Sequence, residues 1–200
     1  MGSEKVLVKL RALKNLGAED IVQKELDHIN DKLPKTVNEE ISVVLNLADD
    51  QGGSWSHFAT TDHTNKFAFG PLLKRKFCTP YFWTSESYSK NLIASRLKST
   101  VLRTIYWNIH AEPISLQDCF EQEVYVQFHL KEEWNYEPKQ FEAIEQFYLE
   151  HAASEEYSLL FNFFYGDEAS QQLGYTTYGR KSLEGFHYAK YIATTKVDQI

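Results

Sequence analysis

Apolar positions recur at helical spacing through residues 4–16 and again through 18–32, where Ile21, Val22, Leu26 and Ile29 share one face. Gly17 separates the two stretches and Pro34 follows the second, so the pattern predicts two helices with a glycine break between them. The period then shortens. Ile41 to Leu47 is a brief run rich in β-branched residues and bounded by turn formers, which predicts a buried strand. Phe77 to Trp83 predicts a second strand, with Pro80 confining it to an edge or a bulge.

Tyr88 to His110 carries the strongest helical signal, because Ile93, Leu97, Val101 and Ile105 recur every four residues. After a short connection, Ser115 and Asp118 have the spacing of a helix start, so an antiparallel helix hairpin is expected. Residues 123–130 alternate as a strand would, yet also continue that helix; helix is preferred and both readings stay open. Further helices are expected over 138–152, 155–165, 167–173 and 182–193, with Asp167 as a cap and Gly174 as a terminator. Together these elements predict an α+β fold, predominantly helical, with a small sheet of two or three strands; an all-α fold is the alternative.

A chain of 200 residues without internal repeats or long linkers is expected to form a single globular domain over 1–200. Its net charge of -7 argues against a nucleic-acid surface, since binding phosphate backbones needs a basic face. Lys74, Arg75 and Lys76 form the one three-residue basic run and read as a solvated turn before the second strand. Two cysteines, Cys78 and Cys119, make no disulfide framework. With no apolar leader and no membrane-length run, the expectation is a cytoplasmic protein without a membrane anchor. Aromatic residues are plentiful (13 Phe, 12 Tyr, 4 Trp), which suits a core, a pocket or a self-association surface. Tyr165, Tyr175, Tyr178, Tyr188 and Tyr191 are read as core or interface rather than a cofactor box.

Reactive residue types concentrate in 45–63, of which 49–63 is read as a loop that follows the first strand. Asp49, Asp50, His57, Asp62 and His63 are all metal-ligand types, although their spacing matches no complete metal motif. Gly52, Gly53 and Ser54 fall one residue short of a nucleophile elbow, because Ser56 stands where that turn needs glycine. The second strand also ends in oxygen-bearing residues, Thr84, Ser85 and Glu86. If the two strands were adjacent and parallel, both polar ends would border one crevice, the usual ligand position in α/β architectures.

Arg96, Arg103 and His110 recur every seven residues on one side of the long helix. In the following helix Glu123 falls within an apolar stripe, where an unpaired carboxylate is costly, so an Arg103–Glu123 pair is expected. Two functional expectations result. One is an enzyme or small-molecule binder acting on a polar or anionic substrate, as a hydrolase or transferase. Its catalytic candidates are Asp49, His57 and Glu123, its binding candidates Arg96, Arg103 and Trp55, and its cofactor is unknown, a metal being conceivable on Asp49, Asp50, His57, Asp62 or His63. The other is a non-catalytic interaction or regulatory module that self-associates into a homo-oligomer.

Overall fold

The computed structural model describes residues 2–32, 40–51, 57–131 and 137–195. Helices account for 67% of the fold and two small two-stranded sheets for the rest of its regular structure, the α+β class that the pattern predicts. The chain divides into two compact units, residues 1–104 and 105–200.

In the first unit, α1 (Gly2–Asn15) and α2 (Ala18–Asn30) turn about Gly17, whose φ of 71° lies in the left-handed region that glycine tolerates. Leu13 and Ala18 bury against Phe82 and Ile93, with Leu45, Leu47 and Tyr88 packed around them. The predicted strands appear as β1 (Ser42–Val43) with β2 (Asn46–Ala48), and β3 (Phe77–Cys78) with β4 (Tyr81–Trp83). β1 pairs with β3 and β2 with β4, both parallel, and the register is the same in each: Ser42 opposite Phe77, Asn46 opposite Tyr81, Ala48 opposite Trp83. They are therefore one parallel ladder with a gap. Ser42, Val44 and Asn46 donate their N–H groups to Lys76, Cys78 and Pro80, and Thr84 donates to Ala48. In this pattern the Val44 carbonyl should accept from residue 80, but proline has no N–H, and the ladder is interrupted there.

A parallel pair needs a crossover, and here it contains two helices, α3 (Phe58–Phe67) and α4 (Gly70–Lys74). The sequence reading, which made 49–63 a loop, missed α3. Its buried stripe is Ala59, His63 and Phe67, so one of three periodic positions is a histidine. Thr60, Thr61 and Thr64 add weak helix formers that hide the signal. Lys74, Arg75 and Lys76 are exposed at the turn into β3, as expected. α5 (Lys90–Ile109) follows β4 and buries Ile93, Leu97 and Val101.

In the second unit, α6 (Leu116–Leu130) resolves 123–130 as helix. Its start is the expected capping box: the Ser115 hydroxyl accepts the Asp118 N–H at 3.2 Å, and the Asp118 carboxylate accepts the Ser115 N–H at 3.0 Å. Burial on several sides, at Leu116, Cys119, Phe120, Glu123, Val124 and Val126, is what blurs its period. A single 3-10 turn (Pro138–Phe141) leads into α7 (Glu142–His151), then α8 (Tyr157–Gln172) and α9 (Glu184–Thr195). α9 packs on α6, α7 and α8. Phe120 stacks on Tyr188 at 5.0 Å and Phe141 on Tyr191 at 4.8 Å, so part of the tyrosine set is core. Among the described residues no helix is long and apolar enough to cross a membrane.

α8 breaks at Gly166, where φ is 80° and ψ 178°, at the division expected between 165 and 167. A Cβ there would lie 2.6 Å from the Lys181 carbonyl carbon and the Ser182 nitrogen. Asp167 then holds the returning loop: its carboxylate accepts the N–H groups of Tyr178, Gly179 and Arg180 at 3.1–3.2 Å and the Asn162 amide at 3.0 Å. The Asn162 amide, aided by those backbone donors and opposed by slight burial, keeps this carboxyl below its ordinary range. Such a group stabilises the fold above the unfolded-state value, and the benefit is lost as pH falls through the folded-state value. Urea unfolding of wild type and Asp167→Ala should therefore differ clearly at pH 7, and the difference should shrink as pH falls below the ordinary carboxylate value of about 3.9. Gly166→Ala should cost roughly 2 kcal/mol or more in the same assay, from a positive-φ side chain that also meets main chain.

Candidate functional site at the strand ends

The parallel pairing places two polar chain ends side by side, because β2 runs into Asp49 and Asp50 and β4 into Thr84, Ser85 and Glu86. The Thr84 hydroxyl donates to Asp49 Oδ1 at 2.7 Å and approaches Asp50 Oδ1 at 3.1 Å. Asp50 also accepts the Ser85 N–H at 3.0 Å and the Ser85 hydroxyl at 2.5 Å. Asp49 further accepts the Gln51 N–H at 3.1 Å, an Asx-type turn that starts the departing chain. Two carboxylates are thus held at one lip by hydroxyls and main chain from the neighbouring strand.

Behind the lip, Arg96 and Glu86 form a bidentate pair. Nη1 and Nη2 of Arg96 reach the two Glu86 oxygens at 2.5 and 2.6 Å, while Nη1 also donates to the Tyr81 carbonyl at 3.0 Å. Glu86 accepts the Trp83 N–H at 3.1 Å, which covers part of the outer edge of β4. Lys9 donates to the Glu86 carbonyl, and the Tyr88 hydroxyl donates to that of Trp83 at 2.7 Å. Burial, then the neighbouring Glu86 charge, pushes the Tyr88 phenol up to about 12, so it remains a proton donor at neutral pH.

His57 stands at the N-terminus of α3 in extended conformation, and its carbonyl accepts the Thr61 N–H and the Thr60 hydroxyl, both at 3.0 Å. Its Nδ1 is buried and makes no hydrogen bond among the described residues. Asp62 and His63 lie on the helix, not in extended chain. Asp62 pairs with Lys66 one turn on, whereas His63 is 4% exposed beside the Phe67 ring. Burial lowers the His63 imidazole to about 4, against a partial counter-effect from Asp62, so it is neutral at pH 7 and sits in the core.

The remaining sequence-derived candidates are Trp55, Arg103 and Glu123. Trp55, with Gly52, Gly53 and Ser54, falls in the segment that is not described. Arg103, two turns beyond Arg96 on α5, is buried at 5% exposure. Glu123 belongs to the second unit and is fully buried, accepting the Gln122 amide at 3.1 Å; Gln122 in turn accepts the Trp107 indole N–H at 2.6 Å. This Trp107–Gln122–Glu123 chain escaped the sequence reading, which weighed Glu123 against arginine alone. Among the described residues, no group of three or more His, Cys, Asp or Glu side chains could hold a metal ion. An open depression of about 350 Å3 on α3, lined by Thr60, Thr61, Thr64 and Tyr81 among others, takes none of the expected site residues.

The chain matches no protein-family model, no curated protein and no solved structure.

Two measurements check the lip and the buried imidazole. Thr84→Val should lower unfolding free energy by about 2 kcal/mol, since hydrogen bonds to charged groups contribute roughly 1.5–3 kcal/mol, and urea denaturation at pH 7 reads it. Because the folded His63 value lies below the unfolded one, protonation favours the unfolded chain. Its penalty is absent above about pH 6.5 and grows as pH falls towards 4. A His63→Leu variant should accordingly show a flatter stability profile than wild type between pH 7 and 4.

Proposed function

We propose that the chain binds a small polar molecule at the lip formed by Asp49, Asp50, Thr84 and Ser85, with His57, whose neighbour Phe58 packs on Trp83, as a candidate acid or base. The reading is supported chiefly by one observation: the two strand ends are adjacent and parallel, and carboxylates and hydroxyls meet there. Ligands in open parallel sheets gather beyond the carboxyl ends of the strands, where side chains from separate connections converge. Among the described residues Asp50 Oδ2 has one protein donor, from Ser85, and a carboxylate oxygen has two lone pairs, so it has capacity for a ligand N–H or O–H.

Charge narrows the ligand. Arg96 is engaged bidentately by Glu86, and Asp50 brings a carboxylate to the lip itself. A cationic or hydroxyl-rich molecule suits that field, and an anion does not. Of the polar or anionic substrate expected from the sequence, the polar one is therefore favoured: an amine, an amino acid or a polyol. On an enzymatic version of this reading, one Asp orients the substrate while His57 moves a proton, the usual division between a carboxylate and an imidazole in hydrolysis or group transfer.

Thermal-shift screening tests this with small amines, free amino acids, sugars and polyols, using phosphate and citrate as anionic controls. At least one donor-rich compound should raise the wild-type melting temperature by about 2 °C or more at a concentration well above its Kd. The same compound should have no effect on Asp50→Asn. A screen in which only the anions stabilise, in which nothing stabilises, or in which Asp50→Asn responds like wild type overturns the reading.

A further inference from the structure

We propose that β1–β2 is a self-association edge, at which a second copy of this chain adds its own 42–48 strand in antiparallel orientation. The argument starts from the ladder. Ser42, Val44 and Asn46 direct their N–H groups to the neighbouring strand, so the alternate residues Val43, Leu45 and Leu47 direct theirs away from it. Among the described residues nothing pairs with that outer row. It opens into a groove of about 510 Å3 between the strand and the α1–α2 turn, whose apolar wall includes Leu10, Leu13 and Val22. Proteins commonly protect such an edge with charge, proline or a covering element, yet residues 43–47 read Val-Val-Leu-Asn-Leu, with neither charge nor proline. The opposite edge of the pair differs, since Glu86 and Arg96 hydrogen-bond to Trp83 and Tyr81 there.

Two features select a second copy as the occupant. The strand is self-complementary about Leu45: antiparallel addition sets Leu45 opposite its own copy and Val43 opposite Leu47, and each facing pair exchanges both main-chain bonds. The flanking helices carry opposite charge. Lys5, Arg11 and Lys14 stand exposed on α1, while Glu19, Asp20 and Asp27 stand exposed on α2. A two-fold axis through the edge requires one surface to complement itself, and a basic helix beside an acidic one provides that. Exposed Leu7, Val8, Leu10 and Val44 supply apolar area around the seam. The result is a four-stranded sheet, with the polar lip of each copy at the strand ends and outside the seam.

Sedimentation equilibrium combined with amide hydrogen exchange on the intact chain tests the proposal. We expect a dimer with a Kd on the order of 10 µM, and amides of Val43, Leu45 and Leu47 that exchange at least about tenfold more slowly well above that concentration than well below it. Val43→Pro removes an outward donor and keeps the inward ones, so it should be monomeric with an unchanged far-ultraviolet circular dichroism spectrum. Wild type that stays monomeric to about 500 µM overturns the proposal. So does a dimer in which those amides keep their low-concentration rates, or one that persists in folded Val43→Pro. Exchange is measured on wild type, so the question is decided even if the variant misfolds. Because Asp50 lies outside the seam, failure here leaves the ligand screen unaffected.

Discussion

Parallel pairing of 42–48 with 77–83 in one constant register is the constraint on which the first unit depends. Parallel strands cannot be joined by a tight turn, so the chain must travel back, and α3 and α4 occupy that return. The same pairing decides where polar residues accumulate. Both strands finish on the same side, and their next residues, Asp49 and Asp50 on one and Thr84 and Ser85 on the other, lie within hydrogen-bond distance. A two-stranded sheet also has two outer edges, of which one is engaged by side chains of its own unit and the other has no main-chain partner among the described residues.

Much of this was legible because it depends on local chemistry. Gly17, Pro80, Ser115 and Gly174 act within a few residues of where they stand, and each marks the boundary its residue type implies. The polar strand ends were also legible as composition, though not their adjacency, which is a long-range fact no short window carries. α3 was hidden for a physical reason: its core-facing stripe includes a neutral buried histidine, and a period built from apolar residues does not register it. That misreading also assigned Asp62 and His63 to a ligand loop, whereas one is tied to Lys66 and the other faces the interior. The lip residues Asp49 and Asp50 were recognised as chemistry, and Thr84 and Ser85 as their prospective neighbours.

The second unit uses polar groups differently. Trp107, Gln122 and Glu123 are all buried, and an indole, an amide and a carboxylate in sequence pair the Trp107 N–H, both Gln122 amide atoms and one Glu123 oxygen. Around them the packing is largely aromatic, with Phe120 and Tyr188 stacked and Phe163 edge-on to Phe164. Large rings in low-entropy rotamers suit a bundle whose helices are short and whose connections follow quickly on one another.

Close approach sets the tolerance of that bundle to change. Gly185 begins α9 with a hypothetical Cβ 2.6 Å from the Phe163 carbonyl oxygen, and Gly166 stands equally near the main chain at 181–182. At Gly166 the obstacle is backbone alone, and at Gly185 a carbonyl oxygen stands beside the Phe163 ring, so turning the ring aside would not by itself make room. Any chain that shares this unit must keep glycine at both positions or route its helices otherwise. The pair is therefore a demand of the packing itself, set by how closely α8 and α9 approach neighbouring main chain.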